Sequence, residues 1–134
     1  MPSQSKELPS AKSSTQLLSD FTDMLDSASH SDVTFLVQGE QIKAHKAILA
    51  ARSTYFDTMF NAGMKESESN VVEVTDVQPK VFKILLRFLY GSVPEKSECD
   101  VWSELLVAAD KYDVQHLKEA CETSLVKARL FRTL

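Results

Sequence analysis

Three histidines, His30, His45 and His116, and two cysteines, Cys99 and Cys121, are the side chains of this 134-residue chain best able to serve as nucleophile, general base or soft-metal ligand. None stands at a ligand or triad spacing, and the cysteines are too far apart for a CxxC site. His116 falls on a polar stretch where a solvated ring is the ordinary outcome. The glycines Gly39, Gly63 and Gly91 are isolated, so no GxGxxG or P-loop is available to cradle phosphate with backbone amides. Glu66, Glu68 and Glu73 are the right ligand type for a hard cation, but no EF-hand loop with its central glycine surrounds them. These residues predict no catalytic constellation, no metal, no cofactor and no small-molecule substrate.

Composition narrows the class further. A chain of this length with 43% hydrophobic residues builds one domain with a true core. A net charge of -4 lacks the clustered cation excess that binding to phosphates needs, so nucleic acid is not an expected partner. Two cysteines suit free thiols in a reducing compartment, no apolar run reaches the ~18 residues of a membrane span, and the start MPSQSKELPSAKSS has no signal-peptide h-region. The expected location is cytoplasm, nucleus or both.

The elements that position everything else follow from periodicity. Residues 1–14 are rich in Ser, Lys and Pro and read as a flexible tail. Leu17, Leu18, Phe21, Met24, Leu25 and Ala28 line one face of a helix, with Ser13 and Gln16 as a prospective capping box. Val33, Phe35 and Val37 alternate as in a strand, and Gly39 with Glu40 predicts a tight turn into a second strand over Gln41 to Ala44. HKAILAARS changes to a helical period, and Ser53 is placed to cap a second helix carrying Tyr55, Phe56, Met59 and Phe60. NAGMKESESN (61–70) has one large apolar residue, Met64, and reads as an exposed loop before a strand over Val71 to Val74.

Pro79 opens a helix whose Val81, Phe82, Leu85, Leu86 and Leu89 predict burial, ending near Gly91. After a connector with Pro94, Val101 to Tyr112 and Val114 to Ala128 give two amphipathic helices. The order α-ββ-αα-β-ααα predicts an α+β fold, a small three-stranded sheet capped by a helical cluster, with the domain over 15–126. KARLFRTL (127–134) is either a helical extension or a frayed end.

SDVTFLVQGEQIKAHKAILAARSTYFDTMF (31–60), VFKILLRFLYGSV (81–93) and LLVAADKYDVQHLKEACE (105–122) together resemble the BTB/POZ domain over about residues 17–126. AHKAILAARS and AADKY look most like the MATH-BTB, speckle-type POZ branch. The resemblance implies a non-catalytic interaction module that homodimerises through its first helix, with Leu17, Phe21, Met24, Leu25 and Ile48 at the interface. It also implies a charged pocket of Asp32 and Lys46 beside that interface, positions a short hairpin brings near one another.

The family's hydrophobic-x-Glu motif for cullin-3 is matched by Met64-Lys65-Glu66, and Phe60 and Tyr112 complete the implied cullin surface. An exposed Met in a polar loop is a flexible apolar anchor, and Glu66 a hydrogen-bond acceptor that fixes register. Tyr112 stands where its ring either caps the core or faces the partner. The leading expectation is a homodimeric substrate adaptor of a cullin-3 ubiquitin ligase. The alternative is the BTB domain of a transcriptional or architectural protein that takes a corepressor peptide in the dimer groove.

Overall fold

The computed structural model describes residues 9–62, 70–92, 94 and 101–133, with side chains between 13 and 127. The order is α1 (Pro9–Ser27), β1 (Val33–Val37), β2 (Glu40–Ala44), α2 (Lys46–Arg52), α3 (Thr54–Asn61), β3 (Val71–Val74), α4 (Pro79–Leu89), α5 (Trp102–Lys111) and α6 (Gln115–Thr133). This is the α+β arrangement that the sequence predicts, one three-stranded sheet against a group of helices.

Two boundaries differ from expectation. Among the described residues α1 already runs from Pro9, so Ser13 and Gln16 lie inside the helix instead of boxing its start. Gln16 donates to Asp20 one turn on, at 2.8 Å. Residues 9–14 are therefore helix, not tail. In the hairpin the loop is Gln38–Gly39, not Gly39–Glu40, and Glu40 belongs to β2. Both loop residues have positive φ, 50° and 91°, the type I′ geometry whose twist matches the flanking strands. That register pairs Phe35 with Ile42 and Val33 with Ala44, so all four face the core; a slip of one residue would turn them to solvent.

The sheet has the order β2-β1-β3, antiparallel on one side of β1 and parallel on the other. Val33, Phe35, Val37, Ile42, Ala44, Val72 and Val74 form its buried face. α4 completes the core with Val81, Phe82, Ile84, Leu85, Leu86 and Leu89, each contributing about 1.5–3 kcal/mol on burial. Leu105 and Ala109 of α5 and Leu117 and Cys121 of α6 close the other end. α6 runs on to Thr133, so 127–133 is helical.

α4 ends in a Schellman turn: Ser92 N–H donates to Arg87 O at 2.9 Å, and Gly91 N–H to Phe88 O at 3.0 Å. Gly91 sits at φ 108°, and a Cβ there would stand 2.4 Å from Leu18 Cδ2 of α1. Glycine is thus needed both for the turn and for the seat of α1. Gly91→Ala is expected to cost about 1–3 kcal/mol in urea unfolding and to loosen α1, seen as faster amide exchange along that helix. Unchanged stability would refute the role given to this turn.

Candidate protein-binding site

α1 carries two stripes. Leu18, Thr22 and Asp26, with Leu25 beside them, face the body. Leu18 meets Gly91, the Thr22 and Ser92 hydroxyls lie 3.3 Å apart, and Asp26 pairs with Arg87 at 2.8 Å. Leu17, Phe21, Met24 and Ala28 are spaced as a second stripe, rotated away from these contacts. Leu17 is 51% exposed, while Phe21 and Met24 are half-buried. Ile48 of α2 is also half-buried. Phe21 and Met24 pack partly against the monomer's own core, whereas Leu17 and Leu18, at 51% and 45% exposure, leave apolar surface at the start of the described helix uncovered.

The Asp32 and Lys46 positions meet, but not as a side-chain charge pair. Asp32 Oδ1 accepts the backbone N–H of Lys46 at 2.8 Å. His45, at the N-cap of α2, makes no side-chain cap bond, so Asp32 supplies the missing acceptor from the end of β1. The Lys46 ammonium donates to Asn70 Oδ1 at 2.6 Å and lies 5.6 Å from the Phe60 ring centre. Lys46 thereby ties α2 to the last turn of α3 and to the start of β3.

Among the chemistry-bearing residues, His45 is consumed by structure. It is buried; its Nε2 lies 2.6 Å from Ser29 O, its Nδ1 2.6 Å from Tyr90 Oη, and its backbone N–H donates to that same oxygen at 2.8 Å. A carbonyl only accepts, so Nε2 carries the proton; Nδ1 then accepts the Tyr90 O–H. Every polar group of the pair is satisfied, leaving none for a substrate. His30 and His116 are exposed. Burial pushes the Cys121 thiol up to about 11, which removes it as a nucleophile near neutrality. Cys99 lies outside the described residues. Among the described residues no three His, Cys, Asp or Glu side chains gather as a metal site, and no helix is long and apolar enough to cross a membrane.

The open surface is a groove of about 600 Å³ between α3 and the end of α5, lined by Thr54, Tyr55, Thr58, Met59, Asp110, Lys111 and Asp113. The two faces of α3 explain it. Phe56 and Phe60 stack at 5.9 Å, with Phe56 wholly buried, while Tyr55 and Met59, one position earlier on each turn, line the groove. Ser53 caps α3 through Phe56 N–H at 3.3 Å and donates to Tyr112 O at 2.6 Å, fixing α3 to α5. Thr54 donates to Asp113, which takes the left-handed position at the end of α5. Lys111 pairs with Asp76, which holds the lysine above and the carboxyl below their ordinary values.

Of the implied cullin contacts, Phe60 is half-buried on the face of α3 that stacks on Phe56 and lies under the Lys46 ammonium, and Met64 and Glu66 lie outside the described residues. Tyr112 settles between its two alternatives: it is 3% exposed, its ring stacked on Phe56 at 5.3 Å and edge-on to Tyr55 at 4.9 Å. It shapes the groove from below and offers almost no surface of its own. Tyr55 and Met59 are the groove residues that periodicity alone did not single out. The signal was present in the YF..MF spacing, which places two pairs on adjacent faces of one helix.

Burial raises both Tyr90 and Tyr112 to about 12 from an ordinary value of 10.0. A raised pKa means the folded state holds its phenol proton while the unfolded chain gives it up. The stabilisation is therefore complete below pH 10.0 and is lost as pH climbs through about 12. Unfolding measured by circular dichroism across that window should show falling stability, with a smaller fall in Tyr90→Phe. A flat profile would contradict the buried-phenol account.

The BTB/POZ family model matches residues 21–129. The chain belongs to the BTB/POZ domain family. Members of this family are protein-interaction modules that homodimerise and bind partner proteins. Two mouse proteins are similar to it at 39% identity. TD and POZ domain-containing protein 5 matches over 121 residues, 89% of this chain and 36% of that protein. TD and POZ domain-containing protein 4 matches over 113 residues, 84% and 30% respectively. The chain thus spans about a third of the length of these relatives. Its fold is similar to the BTB domain of zebrafish PATZ1, with a TM-score of 0.72 and 29% identity over 87% of this chain and 94% of that one. The BTB domain of human gigaxonin shares the fold at TM-score 0.67 and 23% identity, covering 82% and 88%.

Proposed function

We propose that this BTB/POZ domain acts as a homodimerising adaptor that binds the N-terminal domain of cullin-3 and contributes docking surfaces without catalysis. The observation that carries the reading is the α3–α5 groove, where Tyr55 and Met59 present apolar surface between the acids and the lysine at the end of α5. Such a groove suits an amphipathic partner helix, with Met and Tyr as adaptable anchors and the rim charges setting register. Phe60 is on the same helix, one residue after Met59, and Met64 and Glu66 follow α3 directly in sequence. α1 supplies the dimer surface through Leu17, Phe21 and Met24, joined by Leu25 and Ile48. The speckle-type POZ likeness of AHKAILAARS supports the same assignment, and the reading implies a cytoplasmic or nuclear location.

The corepressor-groove alternative needs the charges of Asp32 and Lys46 for a peptide. Asp32 already caps α2 and Lys46 already holds Asn70 and the Phe60 ring, which favours the adaptor reading. The discriminating experiment is titration of purified cullin-3 N-terminal domain into Met64→Ala/Glu66→Ala and, separately, Met59→Asp. Each should weaken binding by about thirtyfold or more, the loss of one hot spot of roughly 2 kcal/mol, with circular dichroism unchanged. Undiminished binding by both variants would overturn the assignment.

A further inference from the structure

A second cleft, of about 470 Å³, lies away from the α3–α5 groove and is bounded by β2, the last turn of α1 and the outer side of α4. One wall is the outer edge of β2, beyond which no strand lies among the described residues. Thr34 N–H donates to Asn70 O at 2.8 Å and Gln38 N–H to Val74 O at 3.3 Å, so even-numbered residues of β1 point to β3 and odd-numbered ones to β2. The antiparallel register then directs Glu40, Ile42 and Ala44 at β1, and the backbone N–H and C=O of Gln41 and Lys43 away from it. No described residue bonds to these outward groups. Opposite them stand Leu25 and Ala28 of α1, with Leu86 of α4 at the base.

We infer that this cleft receives an extended segment of a partner polypeptide, which adds to β2 as a fourth strand. Two features select an extended peptide over a helix or a compact ligand. The wall offers backbone donors and acceptors at strand spacing, which only another strand satisfies in series. The side chains of β2 alternate as well: Ile42 is buried while Gln41 and Lys43 on either side are exposed, and all three line the cleft with Leu25 and Leu86.

Paired residues of neighbouring strands share a face, so the guest residue opposite Ile42 enters the apolar cleft and those on either side face solvent. Lys83 and Arg87, the other cations of the cleft, are paired with Glu40 and Asp26. Lys43 has no carboxylate partner among the described residues. The guest therefore carries an acidic residue opposite Lys43, next to its apolar anchor. The site uses neither α3 nor α5 and so does not depend on the cullin contacts of the proposed function, although it shares Leu25 with the proposed dimer surface.

The test uses the full chain and a synthetic, end-capped peptide, Thr-Thr-Asp-Leu-Thr-Val-Thr. Binding should shift the backbone amides of Gln41 and Lys43 in nuclear magnetic resonance spectra and slow their hydrogen exchange. Lys43→Pro removes the outward N–H without costing a bond to β1, and the residue before it is already extended. That variant should fold and bind at least about tenfold more weakly, the worth of one lost strand bond with a blocked edge. If it fails to fold, the peptide N-methylated at the Asp and Leu amides replaces it and should lose affinity for the unaltered protein to a similar extent. Lys43→Glu should reverse the preference toward a Lys-containing peptide. Absence of binding, equal binding by Lys43→Pro or the methylated peptide, or concentration-dependent protection of Gln41 and Lys43 in the protein alone, which marks a second copy as the occupant, would each overturn the proposal.

Discussion

Tyr112→Ala should remove about 3–5 kcal/mol of stability, a large share of the roughly 5–15 kcal/mol a domain of this size possesses. The ring is stacked on Phe56 at 5.3 Å, with Tyr55 at 4.9 Å and Phe82 at 5.8 Å edge-on around it. Truncation leaves a cavity among residues already committed to one another: Phe56 also contacts Phe35, which contacts Phe82 in turn. The cluster cannot collapse into the hole without moving α3, which Ser53 ties to the Tyr112 carbonyl. Tyr112→Phe keeps the rings together and should cost less than about 1 kcal/mol. Urea unfolding of both variants decides the matter. If Tyr112→Ala unfolds like the parent protein yet loses a partner, the ring is a contact residue and its placement in the core is refuted.

Leu17→Asp with Phe21→Asp should convert a dimer to a monomer or to insoluble protein, as read by light scattering. Leu17 is half exposed on a helix whose other stripe already meets the Gly91 turn, Ser92 and Arg87. Burying the surface that Leu17 still exposes, and the remainder of the half-buried Phe21 and Met24, against a second copy yields part of the about 1.5–3 kcal/mol that full burial of such a side chain is worth, and a two-fold interface uses each twice. Four carboxylates, two from each protomer, must then be desolvated at its centre without partners, which costs more than the apolar contacts return. The Asp26–Arg87 pair and the Leu18 seat remain intact, so the monomer should keep its α1 helicity. A parent protein that is monomeric at high concentration would contradict the dimer.

Much of this architecture was legible because its elements repeat their own period. The 2-residue alternation of Val33, Phe35 and Val37 and the apolar face of Val81 to Leu89 each determine an element with no outside information. What could not be read depends on groups distant in sequence. The hairpin turn shifted by one residue because pairing of Val37 with Glu40 outweighs the local attraction of glycine for the first turn position; Gln38 accepts a φ of 50° for it. His45, set aside in the sequence for want of a ligand or triad spacing, gave no sign of its partner Tyr90, 45 residues away, or of its role as a buried lock. The hairpin does bring Asp32 beside Lys46, but the resemblance implied only a charged pocket there and gave no sign that Asp32 would accept the first backbone N–H of α2. Tyr112 stayed open between core and partner because a tyrosine at a helix end serves either, and only the rings around it decide. Met64 and Glu66 rest on their motif.

The central claim, that this chain is an adaptor for a cullin, is tested most directly by titrating purified cullin-3 N-terminal domain into the unaltered protein by calorimetry. Saturable binding at one cullin domain per protomer, weakened by Met59→Asp and by Met64→Ala/Glu66→Ala, is the predicted result. No heat and no complex at concentrations where the protein is folded would contradict it.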